Sequence, residues 1–185
     1  MKREGIILGI DPGTRIMGYG VIKATGSGIE TLALGVIRMA SIRDPYRRMS
    51  HILEKVYELL DEYKPDSMAI EAPFYSKNVQ SMLKLGRAQG VAIAAALSRN
   101  VPVSEYAPRK IKMAVTGKGA ASKEQVADML KRTLHFTQRS EAFDATDALA
   151  VAVCHATQAV MPDKNNTSGS WEAFISKHPH RVVRK

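Results

Sequence analysis

The fold of this chain is decided by Ile6-Ile7-Leu8-Gly9-Ile10-Asp11-Pro12-Gly13. The apolar run over residues 6–10 predicts a strand that is buried on both faces in the centre of a sheet. The Pro12-Gly13 pair predicts a tight turn directly after it. Asp11 therefore stands at the mouth of a buried element, where an ionised carboxylate is costly unless a cation binds it. We expect a central strand that ends in a carboxylate needing a positive partner.

The rest of the chain alternates between strand and helix patterns. Residues 19–22 and 32–37 predict two further strands on either side of the turn residues Gly26-Ser27-Gly28, which gives an antiparallel meander. The later pattern predicts helices over 45–64, 78–99, 122–134 and 144–159 and strands over 67–71 and 101–105, with no element assigned between 106 and 121. The order βββαβαβαα predicts an α/β fold, a mixed five-stranded sheet in which the meander is followed by parallel strands, with helices on both faces.

The composition is that of one globular domain followed by a polar tail. A chain of 185 residues with 45% hydrophobic residues can bury a core without disulfides. Its single cysteine, Cys154, lies in an apolar run and is expected to be a buried side chain in a reducing cytoplasm. No apolar stretch is long enough to span a bilayer, so we expect neither secretion nor membrane insertion.

The charge favours a polyanionic partner. Residues 162–185 hold five basic and two acidic residues, a net charge of +3, which leaves +6 of the total +9 on residues 1–161. A pI of 9.7 suits binding to a phosphate backbone. Because the composition becomes polar and rich in helix breakers after Pro162, we expect a domain over 1–161 and a flexible, disordered basic tail over 162–185.

Three further acids extend the site that Asp11 begins. Glu71 ends a predicted strand that plausibly lies beside the first, and Asp144 and Asp147 share one face of the last helix. Taken alone, Asp144 and Asp147 could equally be an N-cap and its capping-box partner. Packed together, the four carboxylates would repel one another unless cations lay between them, and all-oxygen ligands suit Mg²⁺ or Mn²⁺ better than zinc. Two such ions about 4 Å apart would permit in-line attack on a phosphodiester. The pattern predicts a metal-dependent nuclease.

At these residues the chain resembles a known family. The segments that carry the resemblance are Gly9-Ile10-Asp11-Pro12-Gly13, Gly18-Tyr19-Gly20-Val21, Ile70-Glu71, Leu83-Lys84-Leu85-Gly86-Arg87-Ala88-Gln89-Gly90 and Asp144-Ala145-Thr146-Asp147-Ala148-Leu149-Ala150. Over about residues 5–160 they are similar to the RuvC family, the bacterial Holliday-junction resolvases, which have a ribonuclease H-like fold.

The resemblance implies a bacterial cytoplasmic homodimer that nicks two opposed strands of a four-way DNA junction, using Mg²⁺, during recombination and repair. Asp11, Glu71, Asp144 and Asp147 match the family's catalytic, metal-binding acids, for which two Mg²⁺ ions per site are expected, with Mn²⁺ as a substitute. The family also cooperates with the RuvA and RuvB branch-migration proteins, which are therefore expected partners.

A basic segment follows the predicted strand over 101–105. Residues 109–123 contain no acid and five basic residues: Arg109, Lys110, Lys112, Lys118 and Lys123. Such a run is often only a solvated loop, but beside a carboxylate site in a basic protein we favour contact with DNA phosphates. The resemblance places Lys112 and Lys123 near the scissile phosphate, as aids to catalysis, whereas Lys118 depends on local chemistry alone.

Two features concern junction binding and assembly. The resemblance implies that Phe74 stacks on bases at the junction centre, although an aromatic of this kind could also be a core residue, and the role of Tyr75 stays undecided. The small residues of 86–97 predict either close packing of a helix on the sheet or a dimer interface, and both could hold for different faces of the helix.

Two other functions remain as alternatives to the nuclease. In one, the acids merely cap helices and the chain is a non-catalytic junction-binding protein. In the other, Asp11-Pro12-Gly13-Thr14 is the first phosphate loop of an actin/Hsp70-like phosphotransferase, with which it shares a resemblance. That second alternative is the weaker one, because such enzymes need two lobes and a second phosphate loop.

Overall fold

The computed structural model describes residues 4–73, 78–134 and 143–158. The strands are β1 (Gly5–Asp11), β2 (Ile16–Thr25), β3 (Gly28–Arg38), β4 (Ser67–Glu71) and β5 (Val103–Tyr106). The helices are α1 (Pro45–Tyr63), α2 (Val79–Ser98), α3 (Pro108–Thr116), α4 (Lys123–Leu134) and α5 (Phe143–Thr157). Phe74, Tyr75 and the predicted tail over 162–185 lie outside the described residues.

The five strands form one mixed sheet in the order β3-β2-β1-β4-β5. The pairs β1–β2 and β2–β3 are antiparallel, whereas β1–β4 and β4–β5 are parallel. The predicted meander, the parallel strands and the central position of β1 are thereby confirmed. β2 and β3 are longer than their apolar cores suggested, because the two strands pair along their whole length with a register shift at Val21/Ile22.

Helices cover both faces of the sheet, as predicted, and each face has its own core. We call the side covered by α3, α4 and α5 the α5 face, and the side covered by α1 and α2 the α2 face. Side chains of β1 alternate between them, so that Ile7 packs into the core of the α5 face and Leu8 into that of the α2 face. The same alternation directs the side chain of the last residue, Asp11, to the α5 face.

The predicted helix ends are confirmed where the described residues include them. The Asp44 carboxylate accepts hydrogen bonds from the N–H groups of Tyr46 and Arg47 at the start of α1. That helix ends at Lys64, which adopts the left-handed conformation with φ 46°. At the start of α4, the Gln125 side chain accepts a hydrogen bond from the Ser122 N–H at 2.9 Å, and the Ser122 hydroxyl accepts one from the Gln125 N–H at 3.3 Å. The two residues form a capping box.

The predicted element order βββαβαβαα is wrong in one place, because residues 106–121, to which the sequence pattern assigned no element, contain helix α3. Pro108 occupies its first turn, and Gly117, with φ 72°, ends it. Ile111 is buried against α5, and the partly buried Ala114 and Val115 pack against the same core, so a narrow apolar face anchors the helix. The basic residues obscured an apolar face only one turn wide.

Two smaller expectations are also tested. Cys154 is fully buried, as predicted, and burial raises the pKa of its thiol to about 11. Within the described ranges, no helix has the length and apolarity needed to cross a membrane.

Candidate active site

Asp11 and Glu71 lie side by side at one edge of the sheet. β1 and β4 are parallel neighbours with Ile10 opposite Ile70, so the residue that follows in each strand is an acid at the same edge. In β4, as in β1, the preceding isoleucine packs into the core of the α2 face. Alternation therefore turns both carboxylates to the α5 face.

Helix α5 carries the other two acids and lies directly on the strand backbone. A Cβ atom at Gly18, the residue opposite Asp11 in β2, would lie 1.8 Å from the carbonyl oxygen of Asp144. A Cβ atom at Gly9 would lie 2.2 Å from the carbonyl oxygen of Ala148. Both strand positions must be glycine for the helix to approach this closely. This packing brings the first turns of α5 to the end of β1.

The acids meet at a small pocket. It is lined by Asp11, Glu71, Pro108, Ile111, Lys112, Lys123, Val126, Asp147 and Ala150. Three of the four predicted acids thus come from β1, β4 and α5 to one place. Asp144 does not line the pocket, but it lies in the first turn of α5, near enough to raise the pKa of Asp11.

Two of the predicted basic residues line the same pocket. Lys123, the first residue of α4, forms an ion pair with Asp147. Lys112 extends from α3, and its charge partly opposes the rise in the pKa of Glu71 that burial causes. The two lysines come from helices that pack against α5, so their ammonium groups and the carboxylates are held by one group of elements.

The carboxylates raise one another's pKa. Burial and the charges of Glu71, Asp147 and Asp144 raise the pKa of Asp11 to about 8, although Lys123 opposes them. Burial and Asp147 likewise raise the pKa of Glu71. For Lys123, burial favours the neutral form, but the hydrogen bond to Asp147 and the nearby acids outweigh it and raise the pKa. Three carboxyl groups and two lysines line the pocket, so the acids outnumber the cations that could neutralise them.

The donor set fits a hard divalent cation. Within residues 4–73, 78–134 and 143–158, no three Asp, Glu, His or Cys side chains stand close enough to share one ion in their present positions. Three of the acids nevertheless line one pocket, and the Lys123 ammonium forms an ion pair with Asp147 there. Carboxylate oxygens with unbalanced negative charge are the ligands that Mg²⁺ and Mn²⁺ prefer. Binding of an ion would draw the carboxylates of this pocket together, because carboxylate side chains rearrange around a bound cation.

The other three predicted basic residues lie elsewhere. Lys110 places its ammonium 5.1 Å from the centre of the Tyr106 ring. Arg109 packs beside Gly119, and Lys118 lines a separate shallow pocket that also contains Asp128. The basic residues of the predicted segment therefore fall into two groups. Lys112 and Lys123 line the acidic pocket, whereas these three residues do not.

Sequence reasoning did not identify Gln89 as part of the site. This side chain on α2 is 6% exposed and donates to the backbone carbonyl of Glu71 at 3.4 Å and to the Glu105 carboxylate at 3.1 Å. Gln89 therefore ties α2 to the end of β4. A glutamine between alanine and glycine in a helix of small residues is the only sequence signal that could have pointed to it.

A buried histidine was also missed. His155, at the end of α5, is fully buried, with Tyr106 Oη 2.8 Å from its Nδ1 and Ser67 Oγ 3.1 Å from its Nε2. The three residues join α5 to β5 and β4 behind the acids. Because a buried imidazole is costly without partners, these bonds fix the position of α5 on the sheet.

Comparisons with known proteins agree on one family. The family model described as "Crossover junction endodeoxyribonuclease RuvC" matches residues 7–155. The protein of that name from Bacteroides fragilis is 56% identical over 182 residues, 97% of each chain. The one from Cytophaga hutchinsonii is 54% identical over 179 residues, covering 97% of this chain and 88% of the relative.

A solved structure leads to the same family. It is described as Thermus thermophilus RuvC in complex with a Holliday junction substrate, and it superposes with a TM-score of 0.77 at 32% identity. The superposition covers 83% of this chain and 93% of that one. The predicted ribonuclease H-like fold and the resemblance are both confirmed. The chain belongs to the RuvC family of crossover junction endodeoxyribonucleases.

Proposed function

We propose that this chain resolves four-way DNA junctions by paired, metal-dependent hydrolysis of phosphodiester bonds during recombination and repair. The observation that carries the proposal is the meeting of Asp11, Glu71 and Asp147, from three separate elements, at one pocket that two lysines also line. Family membership assigns the reaction, and the pocket is the place in this chain whose chemistry suits it.

The four acids are proposed to hold Mg²⁺, two ions per site, with Mn²⁺ as a substitute. When bound, such ions lower the pKa of water and stabilise the charge on the leaving oxygen. Support comes from the carboxylate donors and from the raised pKa of Asp11, which a cation would reverse. Asp144 joins the set through its position three residues before Asp147 on α5.

Lys112 and Lys123 are proposed to receive the phosphate. A phosphodiester that enters the pocket meets carboxylates that repel it, and two ammonium groups offset that repulsion. Lys123 is held beside Asp147, at the mouth between α4 and α5. Arg109, Lys110 and Lys118 remain proposed contacts to more distant phosphates, because none of them lines the pocket.

A homodimer is proposed through the outer surface of α2. The small residues Ala88, Ala92, Ala95 and Ala96 are buried against the sheet, which is the packing role. On the opposite side, residues at heptad spacing form a stripe in which Val79, Leu83, Gly86, Gly90 and Leu97 are exposed, while Ile93 is partly buried against the core of the α2 face. Val79, Leu83 and Leu97 are 63%, 54% and 57% exposed, and Gly86 and Gly90 have open space where a Cβ would stand. The α2 helix of a second copy of the chain, related by a twofold axis, would cover this stripe. That second copy would supply the second active site.

The remaining expectations complete the proposal. Phe74 would stack on bases at the junction centre, and Tyr75 is given no role. Residues 1–161 would form the nuclease domain, and 162–185 a flexible basic tail. RuvA and RuvB are proposed partners through the family alone, and the bacterial cytoplasm is the proposed location because recombining DNA lies there.

The decisive experiment compares a synthetic four-way junction with a linear duplex, in Mg²⁺ and in Ca²⁺, for the unaltered chain and for Asp147→Asn. The unaltered chain should cut the junction in Mg²⁺ and leave the linear duplex intact. Asp147→Asn should bind the junction in Ca²⁺ as tightly as before but cut at least about 100-fold more slowly, because even the loss of a group supporting a metal ligand costs 10–100-fold. Asp128→Asn, an exposed acid on α4, is the matched control and should cut normally.

The same experiment separates the alternatives. A non-catalytic junction-binding protein would bind without cutting, and Asp147→Asn would change nothing. The phosphotransferase alternative predicts hydrolysis of ATP, which the preparation should lack. Equal cutting of junction and linear duplex would refute selectivity for structure.

A further inference from the structure

A second pocket lies on the α2 face of the sheet and takes no part in the site described above. Its volume is about 370 Å³. Its wall is formed by Thr14, Met39, Arg43, Pro45, Arg48, Met49, Ile52, Lys84, Arg87 and Ala88. These residues belong to the turn after β1, the segment between β3 and α1, and the helices α1 and α2. Four of the ten are cations and none is an acid, so the pocket is strongly electropositive.

Within the part of the chain that the structure describes, no acidic side chain neutralises the exposed cations of this pocket. Arg43, Lys84 and Arg87 are exposed, and none of them forms an ion pair within the described ranges. Asp44, the nearest acid in sequence, is occupied by the N–H groups of α1. By contrast, Lys55 and Arg99, elsewhere on α1 and α2, each pair with a carboxylate. Cations gathered without a counter-charge repel one another, and a bound anion would remove that repulsion.

Arg48 gives the pocket a fixed donor. Its Nε donates to the Ile42 carbonyl at 2.5 Å and its Nη1 to the Thr14 carbonyl at 3.3 Å. These two bonds hold a half-buried guanidinium in place and leave further N–H groups of its fork for an anion. The cations therefore surround a positioned arginine rather than only flexible lysine side chains.

The pocket lies close to the acidic site along the chain. Thr14 is three residues from Asp11, a distance of at most about 10 Å even for extended chain. A DNA strand advances about 3.4 Å per nucleotide. A strand with one phosphate at Asp11 can therefore present another to the basic pocket within about three or four nucleotides.

We propose that this basic pocket binds a backbone phosphate of junction DNA a few nucleotides from the scissile phosphate. The side chains that contact the phosphate are those of Arg43, Arg48, Lys84 and Arg87. The inference rests on the proposed function, since it names a second contact on the same substrate. Its role is to set the register of the strand across the edge of the sheet, because phosphate contacts position DNA without reading its sequence.

The test is the salt dependence of junction binding in Ca²⁺ for the full-length double variant Lys84→Gln/Arg87→Gln. Each phosphate contact contributes about 0.9 to the slope of log affinity against log salt. We expect the slope to fall by about 1 to 2 in the variant. The control is Lys23→Gln/Lys131→Gln, which removes the same charge from exposed positions that line neither pocket, and its slope should not change. Equal slopes for the two double variants would overturn the proposal.

A second measurement locates the phosphate. Junctions carrying one neutral methylphosphonate are made at each of the first five positions on either side of the cut. One position should weaken binding by the unaltered chain about tenfold and leave the double variant unaffected, because the partner charges are already gone. If every position affects both proteins equally, the pocket makes no such contact.

These outcomes are distinct from failure of the proposed function. If the unaltered chain cuts junctions while its pocket variants show no change in slope, only the pocket proposal is refuted. If the unaltered chain does not cut junctions, the proposed function fails first, and the inference fails with it.

Discussion

On the α5 face, helix α5 lies directly on strand backbone, whereas on the α2 face, helix α2 packs mainly through alanine side chains and leaves an apolar stripe outside. Between residues 145 and 156 of α5, every residue except Asp147 is buried. α2 has only five buried residues and exposes Val79, Leu83 and Leu97. The proposed metal site lies on the tightly packed face, whereas the proposed dimer contact and the proposed second phosphate contact lie on the more open face.

Glycines offer the strongest test of this difference. Gly18→Ala should abolish cutting and lower the free energy of unfolding by more than about 3 kcal/mol, because the added methyl group would overlap the backbone of α5 at Asp144. Gly86→Ala on α2 meets nothing and should raise the stability of the monomer by about 0.5–1 kcal/mol. Urea unfolding and a junction-cutting assay measure both. Similar effects at the two positions would mean that the faces do not differ in this way.

Assembly should depend on the α2 face alone. Leu83→Glu should weaken the dimer at least about 100-fold, because a twofold interface would bury the new charge twice. Met129→Glu, at a position on α4 that is 40% exposed, is the control for the α5 face and should leave the dimer unchanged. Analytical ultracentrifugation over a range of concentrations gives both dissociation constants. A monomeric unaltered chain, or a dimer insensitive to Leu83→Glu, would refute the proposed interface.

Gln89 should show that the two faces are coupled. Replacing it with alanine leaves the carbonyl of Glu71 and the Glu105 carboxylate without this donor, so we expect cutting to slow by about tenfold. The Mg²⁺ concentration that supports half-maximal cutting should rise, which a general loss of stability would not produce. Ser98→Ala, which removes a hydroxyl elsewhere on α2, is the control. An unchanged Mg²⁺ requirement would mean that Gln89 is only a packing residue.

A further test concerns the pH dependence of stability in the absence of metal. The pKa of Asp11 is raised from 3.8 to about 8, so the folded state keeps a proton that the unfolded chain has lost. The stability of the metal-free protein should therefore decrease as the pH rises from about 4 to 8, and Mg²⁺ should reverse the decrease at pH 8. Asp11→Asn should show a flatter profile. Thermal unfolding with a chelator tests this, and a profile that rises across the same range would contradict it.

Much of this architecture could be predicted, because the signals were local. The apolar run before Asp11 predicted a central strand, and Asp44, Lys64 and Ser122 marked helix ends through hydrogen bonds within a few residues. Helix α3 escaped prediction although Pro108 and Gly117 bracket it, because a dense run of basic residues obscured its one buried side chain. Composition favoured a loop where the capping residues indicated a helix.

The sequence by itself determined which residues carry charge and where strands end, since alternation and capping depend on near neighbours. Only the tertiary structure decided which charges meet. It placed Lys112 and Lys123 with the acids, separated Lys110 from them, and gathered Arg43, Lys84 and Arg87 around a second pocket. The physical reason is that these groupings depend on strand order and on how closely α5 can approach Gly9 and Gly18, distances that join residues more than a hundred positions apart.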